Sequence, residues 1–243
     1  MKGSDRSPAP APAEVVRMFD RIAPAYDAMN SVMTAGIDAR WRRETIAALR
    51  LRPGMHVLDV ATGTGKLALA AARRVGRDGA VVGLDPSRAM LERARRAGAR
   101  QVPAARLSWV RGDALALPFP DASFDAVSIG FGLRNLADLE LGLREMARVC
   151  RPGGRVAVLE IAEPRNPVAR LLFGTWFRRV VPRLGSLIGL GSAYAYLPAS
   201  LDRYPGPEEV ARRMADAGLA HVGWRWLATD LATLHVGTRM LDG

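Results

Sequence analysis

A chain of 243 residues, 49% of them apolar and with acidic and basic side chains interspersed, has the size and composition of one globular domain with a buried core. Arg, Pro or Gly interrupts every apolar run short of the ~18 residues that a membrane-spanning helix requires, and a single cysteine, Cys150, leaves no internal disulfide framework. The formal net charge of +11 predicts attraction to polyanions; without a zinc-ligand cluster, an aromatic-rich RNA motif or a compact basic tract, an anionic membrane surface ranks above nucleic acid, and no metal site is expected.

Met1 to Ala13 (MKGSDRSPAPAPA) is rich in Pro, Ala and Ser and lacks the apolar stretch of a secretory signal. It reads as a disordered tail of a cytoplasmic protein, and residues 14–243 as a single domain. Glu14–Asp27 and Asp38–Leu49 read as two helices joined by a turn around Gly36, placed to cap a ligand site within residues 14–50. Then strand-length apolar runs at Met55–Val60, Ala80–Leu84, Leu107–Arg111, Phe124–Ile129 and Arg155–Ile161 alternate with helical stretches at Lys66–Val75, Ser87–Ala97 and Leu139–Val149. This alternation predicts an α/β, Rossmann-like fold: a mostly parallel sheet with helices on both faces. Cys150 falls in Arg-Val-Cys-Arg-Pro-Gly-Gly, at a helix end, and reads as a buried small apolar residue.

Pro167–Leu190 mixes Leu171, Leu172, Phe173, Trp176 and Phe177 with Arg170, Arg178, Arg179 and Arg183. That pattern fits a membrane-surface or lid helix within an insertion at 163–205, and equally an ordinary core-facing helix. A helix at Pro207–Ala217 and strands at His221–Leu227 and Ala232–Met240 complete a sheet of seven strands. No repeat or linker divides the chain.

The run Val57-Leu-Asp59-Val-Ala-Thr-Gly63-Thr64-Gly65-Lys66-Leu-Ala68 sets a glycine-rich turn between a strand and its helix, where a ligand can approach the backbone and the helix N-terminus. A Walker phosphate loop is excluded, because Val60 stands where its first Gly belongs and Leu67 replaces its Ser or Thr. A dinucleotide site remains open, since Gly63, Gly65 and Ala68 satisfy G-x-G-x-x-A and Asp85 closes the next strand about 20 residues on. Asp59 two residues before Ala61, Gly112-Asp113-Ala114 after the third strand, Phe119 to Asp125 before the fourth and Arg151-Pro-Gly-Gly154 before the fifth together resemble the motif series of class I S-adenosylmethionine-dependent methyltransferases.

Met18 to Asp27 (MFDRIAPAYD), Gly36 with Trp41-Arg42, Phe131-Gly-Leu-Arg134-Asn135, Tyr196-Leu-Pro198 with Ser200, and Leu234-His235-Val-Gly237 carry a closer resemblance, to the quinone-biosynthesis C-methyltransferase family. The resemblance spans about residues 14–240. It implies S-adenosylmethionine as cofactor, bound by Asp59, Gly63, Thr64, Gly65, Asp85, Asp113, Ala114 and Gly130, where relatives of Gly130 often carry Ser. Lys66 replaces the Asp or Asn usual in relatives and would reach the cofactor carboxylate or point to solvent. It further implies methylation of a ring carbon of demethylmenaquinol, with Arg134 holding the developing phenolate and Tyr26, Asn135 and His235 completing a polar ring. Trp176, Phe177 and Tyr194 fit packing roles. The other readings kept open are a ubiquinone-precursor benzoquinol or a soluble aromatic or polyketide substrate, and, more remotely, a cofactor-binding protein without catalysis. The expected partners are a prenylated quinol and an anionic membrane at the inner face of the cell membrane; the oligomeric state stays open, a homodimer included.

Overall fold

The computed structural model describes residues 11–102, 106–176, 180, 181, 183, 186, 196, 200–227 and 230–241. Strands β1 (His56–Val60), β2 (Ala80–Asp85), β3 (Arg106–Arg111), β4 (Phe124–Gly130), β5 (Cys150–Ile161), β6 (Leu219–Trp226) and β7 (Ala232–Arg239) form one seven-stranded sheet in the order β3-β2-β1-β4-β5-β7-β6. β7 alone runs against its neighbours, pairing antiparallel with both β5 and β6. The helices are α1 (Pro12–Ile22), α2 (Tyr26–Met33), α3 (Asp38–Ala48), α4 (Lys66–Val75), α5 (Arg88–Gln101), α6 (Leu139–Val149), α7 (Pro167–Thr175) and α8 (Pro207–Asp216).

Helices cover both faces, so successive residues of the central strands enter different cores. Leu58, Val60, Val127, Val156 and Val158 pack with Leu143 and Met146 of α6 and Met214 of α8, whereas Val57, Ala126 and Ala157 meet Trp41 of α3 and Leu67, Ala71 and Val75 of α4. Burying each Leu, Val or Met contributes about 1.5–3 kcal/mol, and this is why the central strands read as unbroken apolar runs. Cys150 is 1% exposed, and burial pushes its thiol up to about 12, so it is inert packing as its sequence context suggests. β1 lies between β2 and β4, and the strand order reverses there. The crevice at the carboxyl ends of β1 and β4 is where an open α/β sheet presents ligands.

The N-terminal region departs from expectation. The expected helix Glu14–Asp27 is two helices, and α2 was not foreseen at all. Pro24 lacks the N–H needed to continue α1, so the chain turns at 23–25 and restarts at Tyr26. α1 begins at Pro12, two residues inside the stretch read as tail, because Pro suits a first helical position and Glu14 Oε2 accepts from the Ala11 N–H at 3.2 Å. The rest of that tail, 1–10, lies outside the described residues, as do Phe177, Arg178, Arg179, Tyr194, Pro198 and the Leu172 side chain. No helix among the described residues is long and apolar enough to cross a membrane.

Candidate functional site

The glycine loop after β1 is tied down from several sides. Ala61, Gly63 and Gly65 have positive φ of 49°, 56° and 81°, a region natural to Gly; at Gly65 a Cβ would lie 2.7 Å from the Trp109 ring. Asp59, 1% exposed, accepts from Thr62 Oγ1 at 2.6 Å and from Ser128 Oγ at 2.7 Å, locking the loop to β4. Phe131 (φ 60°) leaves β4 in the same strained region, and a Cβ on Gly132 would lie 2.7 Å from Cβ of Ala61. Left-handed residues thus follow both β1 and β4 at the switch point, where held strain marks functional geometry.

Beside this loop opens a cleft of about 200 Å³, lined by Gly63, Asp85, Asp113, Ala114, Gly130 and Asn135 with apolar walls from Val15, Phe19, Met90 and Leu136. Asp85, 7% exposed, accepts from the backbone N–H of Gly63 at 2.8 Å and of Ser87 at 2.9 Å. Burial outweighs those donors and lifts its carboxyl to about 6; Asp59 is lifted to about 6 by burial as well. Asp113 Oδ1 accepts from Leu115 N at 2.9 Å, shaping the turn at the far wall. Asp20 of α1 accepts from Ser87 Oγ at 2.6 Å and pins the cap helix to this rim. Among the described residues lining the cleft, two are carboxylates and none is Lys or Arg. Such a donor set suits ribose hydroxyls, a neutral purine and a sulfonium cation better than a pyrophosphate.

A narrow slot of about 30 Å³ adjoins the cleft, sharing Tyr26 and Phe131 with it. Its polar lining is Tyr26, Asn30, Thr34, Asp38, Arg42 and Arg134, set among Met18, Ile22, Met33, Ile161 and Leu201. Arg134 forms an ion pair with Glu160 of β5, with side chains 5% and 0% exposed, and Arg134 Nε donates to Ser200 Oγ at 3.3 Å. Asn135 Nδ2 donates to the Phe131 carbonyl at 3.3 Å while its Oδ1 accepts from Tyr196 at 3.2 Å. Tyr26 is half-buried, and desolvation of its phenol raises the pKa above the ordinary range. A Cβ on Gly63 would meet the Tyr26 ring at 3.8 Å, so ring and loop are in contact.

The structure therefore brings Tyr26, Arg134, Asn135 and the residues expected to bind the cofactor to one edge of the sheet, and it leaves His235 out. His235 pairs with Val158 in the sheet interior, is 0% exposed, donates from Nε2 to the Pro207 carbonyl at 2.9 Å and stacks on Trp224. Burial lowers its pKa, and it lines neither the slot nor the cleft. The Leu-His-Val-Gly motif thus belongs to the core. Thr64 Oγ1 donates to Asp27 Oδ1 at 2.8 Å and Lys66 Nζ lies 3.2 Å from the same oxygen, so Lys66 bridges to α2. Sequence reasoning missed Asp38 and Arg42 as site residues, and Glu160 entirely. A lone carboxylate in the buried run Val156–Ile161 was the available signal for Glu160; nothing in the spacing of α3 flagged Asp38.

The sequence matches the ubiE/COQ5 methyltransferase family over residues 9–239, and the chain belongs to that family. It is 45% identical to a demethylmenaquinone methyltransferase of Thermus thermophilus, covering 91% of this chain and all of that one, at 100%. It is 40% identical to a ubiquinone/menaquinone biosynthesis C-methyltransferase of Geobacter sulfurreducens, covering 92% and 88%. The fold is similar to that of an S-adenosylmethionine-dependent methyltransferase from Thermotoga maritima, with TM-score 0.63 at 18% identity over 93% of this chain and 99% of that one. The chain is an S-adenosylmethionine-dependent methyltransferase with the seven-stranded class I fold.

Proposed function

We propose that this enzyme methylates a ring carbon of demethylmenaquinol, a 2-polyprenyl-1,4-naphthoquinol, to complete menaquinone. The observation that carries the reading is the slot itself: apolar walls with a ring of polar groups, opening beside the glycine loop in a chain 45% identical to a demethylmenaquinone methyltransferase. S-adenosylmethionine, when bound, supplies an electrophilic methyl group. Asp85 would accept the ribose hydroxyls, Asp113 and Ala114 would border the adenine, and Gly63, Thr64, Gly65 and Gly130 would pass along its chain. Asp59 acts through the loop it holds, by way of Thr62 and Ser128. In-line transfer between an electron-rich ring and a sulfonium needs positioning and exclusion of water more than covalent help. Tyr26 and Phe131, at the junction of slot and cleft, are placed to hold the ring. Arg134 has donors beyond those given to Glu160 and Ser200, and these stabilise oxygen charge as it develops, with Asn135 alongside.

Helices within 14–50 serve as the cap and residues 163–205 as a lid over quinol access. On α7, Val168 and Leu171 are 67% and 71% exposed and flank Arg170, a combination suited to the anionic inner face of a membrane. A benzoquinol substrate is the second reading, favoured by the relative named for both ubiquinone and menaquinone. Mass spectrometry of quinones from cells lacking the protein tests both. A naphthoquinone one methyl lighter supports the proposal, a lighter benzoquinone supports the second reading, and an unchanged quinone pool overturns both.

A further inference from the structure

With His235 in the core, the slot lacks the imidazole expected in its polar ring, yet the quinol hydroxyl must lose its proton for the ring carbon to become a strong nucleophile. Among the described residues lining the slot, Asp38 is the only carboxylate. The other polar groups cannot serve: Arg42 and Arg134 are permanently protonated, Asn30 is an amide and Thr34 an aliphatic hydroxyl, and the Tyr26 phenol, raised by burial, stays protonated at neutral pH. Resting on the naphthoquinol reading above, we propose that Asp38 is the general base that takes the hydroxyl proton, and that Arg42 positions its carboxylate.

Asp38 is the first residue of α3 and 3% exposed. Its Oδ2 accepts from Arg42 Nη1 one helical turn on. Its Oδ1 lies 3.3 Å from Thr34 Oγ1, but that hydroxyl has one proton and a closer acceptor, the Asn30 carbonyl at 2.8 Å. Oδ1 therefore keeps capacity to accept from a ligand. Arg42 in turn packs its guanidinium 5.6 Å from the Phe131 ring centroid, the same ring that walls the cleft, so the dyad is referenced to the surface on which the substrate rests. The charged and titratable groups facing Asp38 are Arg42 from its own helix, Tyr26 from α2, Lys66 from α4 and Arg134 from the turn after β4. Burial would raise its carboxyl, but Arg42 prevails and holds it below the usual range, so the base is ionised at neutral pH. The slot accommodates a hydroxyl-sized group, not a bicyclic ring; the ring stays at the mouth, where Met18 and Met33 can re-pack.

In the step, the hydroxyl proton moves to Asp38 and the O–H pair passes through oxygen into the ring. The ring carbon takes the methyl group, and the sulfur keeps the broken bond's pair. The methylated carbon then loses its hydrogen to water as a proton while Asp38 returns its own to the ring oxygen. One proton leaves overall and the carboxylate is restored. A carboxylate suffices because the hydroxyl acidifies as the ring donates electrons.

The test compares the wild-type chain, Asp38→Asn and Asp38→Glu in single-turnover methylation at saturating cofactor from pH 6 to 9, using tailed demethylmenaquinol and a demethylated benzoquinol. The wild type's choice of quinol decides the substrate reading separately, and the variants are compared on whichever quinol it accepts. Asp38→Asn should be slower by about 10²–10⁴-fold at neutral pH. The deficit should shrink about tenfold per pH unit, because the quinol must then ionise unaided. Calorimetric affinities for S-adenosylhomocysteine and for oxidised demethylmenaquinone, which has no proton to give, should stay within about twofold. Asp38→Glu, retaining the base, should keep the wild-type shape of the pH profile. A wild-type rate in Asp38→Asn, or a deficit equal at every pH in both variants, overturns the assignment.

Discussion

At the strand ends, Asp59, Asp85 and Glu160 are all but inaccessible, and each is held by partners on the sheet, its loops or the turn after β4. Above them, α1 and α2 meet the site through small clusters rich in methionine: Met18 and Met90 around Ile22, and Met29 and Met33 around Val181. The floor is backed by the two large cores, which hold its geometry. The roof packs with unbranched, adaptable side chains that can re-pack around a ring larger than the slot. Preorganisation and access are thus divided between two layers of one site.

The sharpest way to break this comparison is to remove one cation from each layer. Arg134→Ala strands the Glu160 carboxylate in the floor and should cost about 3–5 kcal/mol of stability. Arg42→Ala in the roof, where Asp38 can turn toward water as the helices part, should cost less than half of that by urea unfolding. Equal losses would show that the two layers are equally rigid. The folded Arg134→Ala protein should also transfer methyl about 10²–10³-fold more slowly, with cofactor affinity little changed.

Next in size is Asp85→Ala, which should weaken S-adenosylhomocysteine binding by about 2–4 kcal/mol in calorimetry, with NAD not bound by either protein. Because burial raises Asp85 to about 6, the ionised form that accepts hydroxyls is present above that pH. Affinity should therefore fall as pH drops through 6, toward about tenfold per unit, and this dependence should vanish in the variant. A pH-independent wild-type affinity would remove Asp85 from the ribose.

His235→Gln separates core from site within the sheet itself. Loss of the Pro207 hydrogen bond should cost about 1–2 kcal/mol of stability, with kcat/KM within twofold of wild type. A large kinetic defect in a folded protein would restore His235 to the mechanism. The smallest effect is expected at the periphery: Arg170→Ala should reduce binding to vesicles containing anionic lipid by about 1 kcal/mol at low salt, and binding to neutral vesicles not at all.

Lys66–Val75 and Leu139–Val149 were read from the sequence with the bounds they have in the structure, and the five parallel strands within a few residues, except the early start of β5. Their apolar periodicity is a local consequence of being covered on both faces, and the glycine loop is legible because Gly takes the positive φ of Gly63 and Gly65 without strain. The order of strands and the break at Pro24 needed more: α2 has no long apolar stripe of its own, and its place depends on what it covers.

Amino-acid order alone therefore determined the α/β class, the glycine loop with Asp59 and Asp85 beside it, and the Phe131–Asn135 turn, since each rests on backbone conformation or burial written within a short segment. Only the tertiary structure decided which polar residues share the slot. It removed His235, which a motif had suggested, because β7 inserts between β5 and β6 and buries it there. It added Glu160 of β5 and Asp38 and Arg42 of α3, which reach Arg134 and its slot by contact across the fold and not by motif or period.

Contact across the fold alone sets these charges around one slot, because a buried carboxylate and a buried guanidinium are tolerated only where packing brings them a partner.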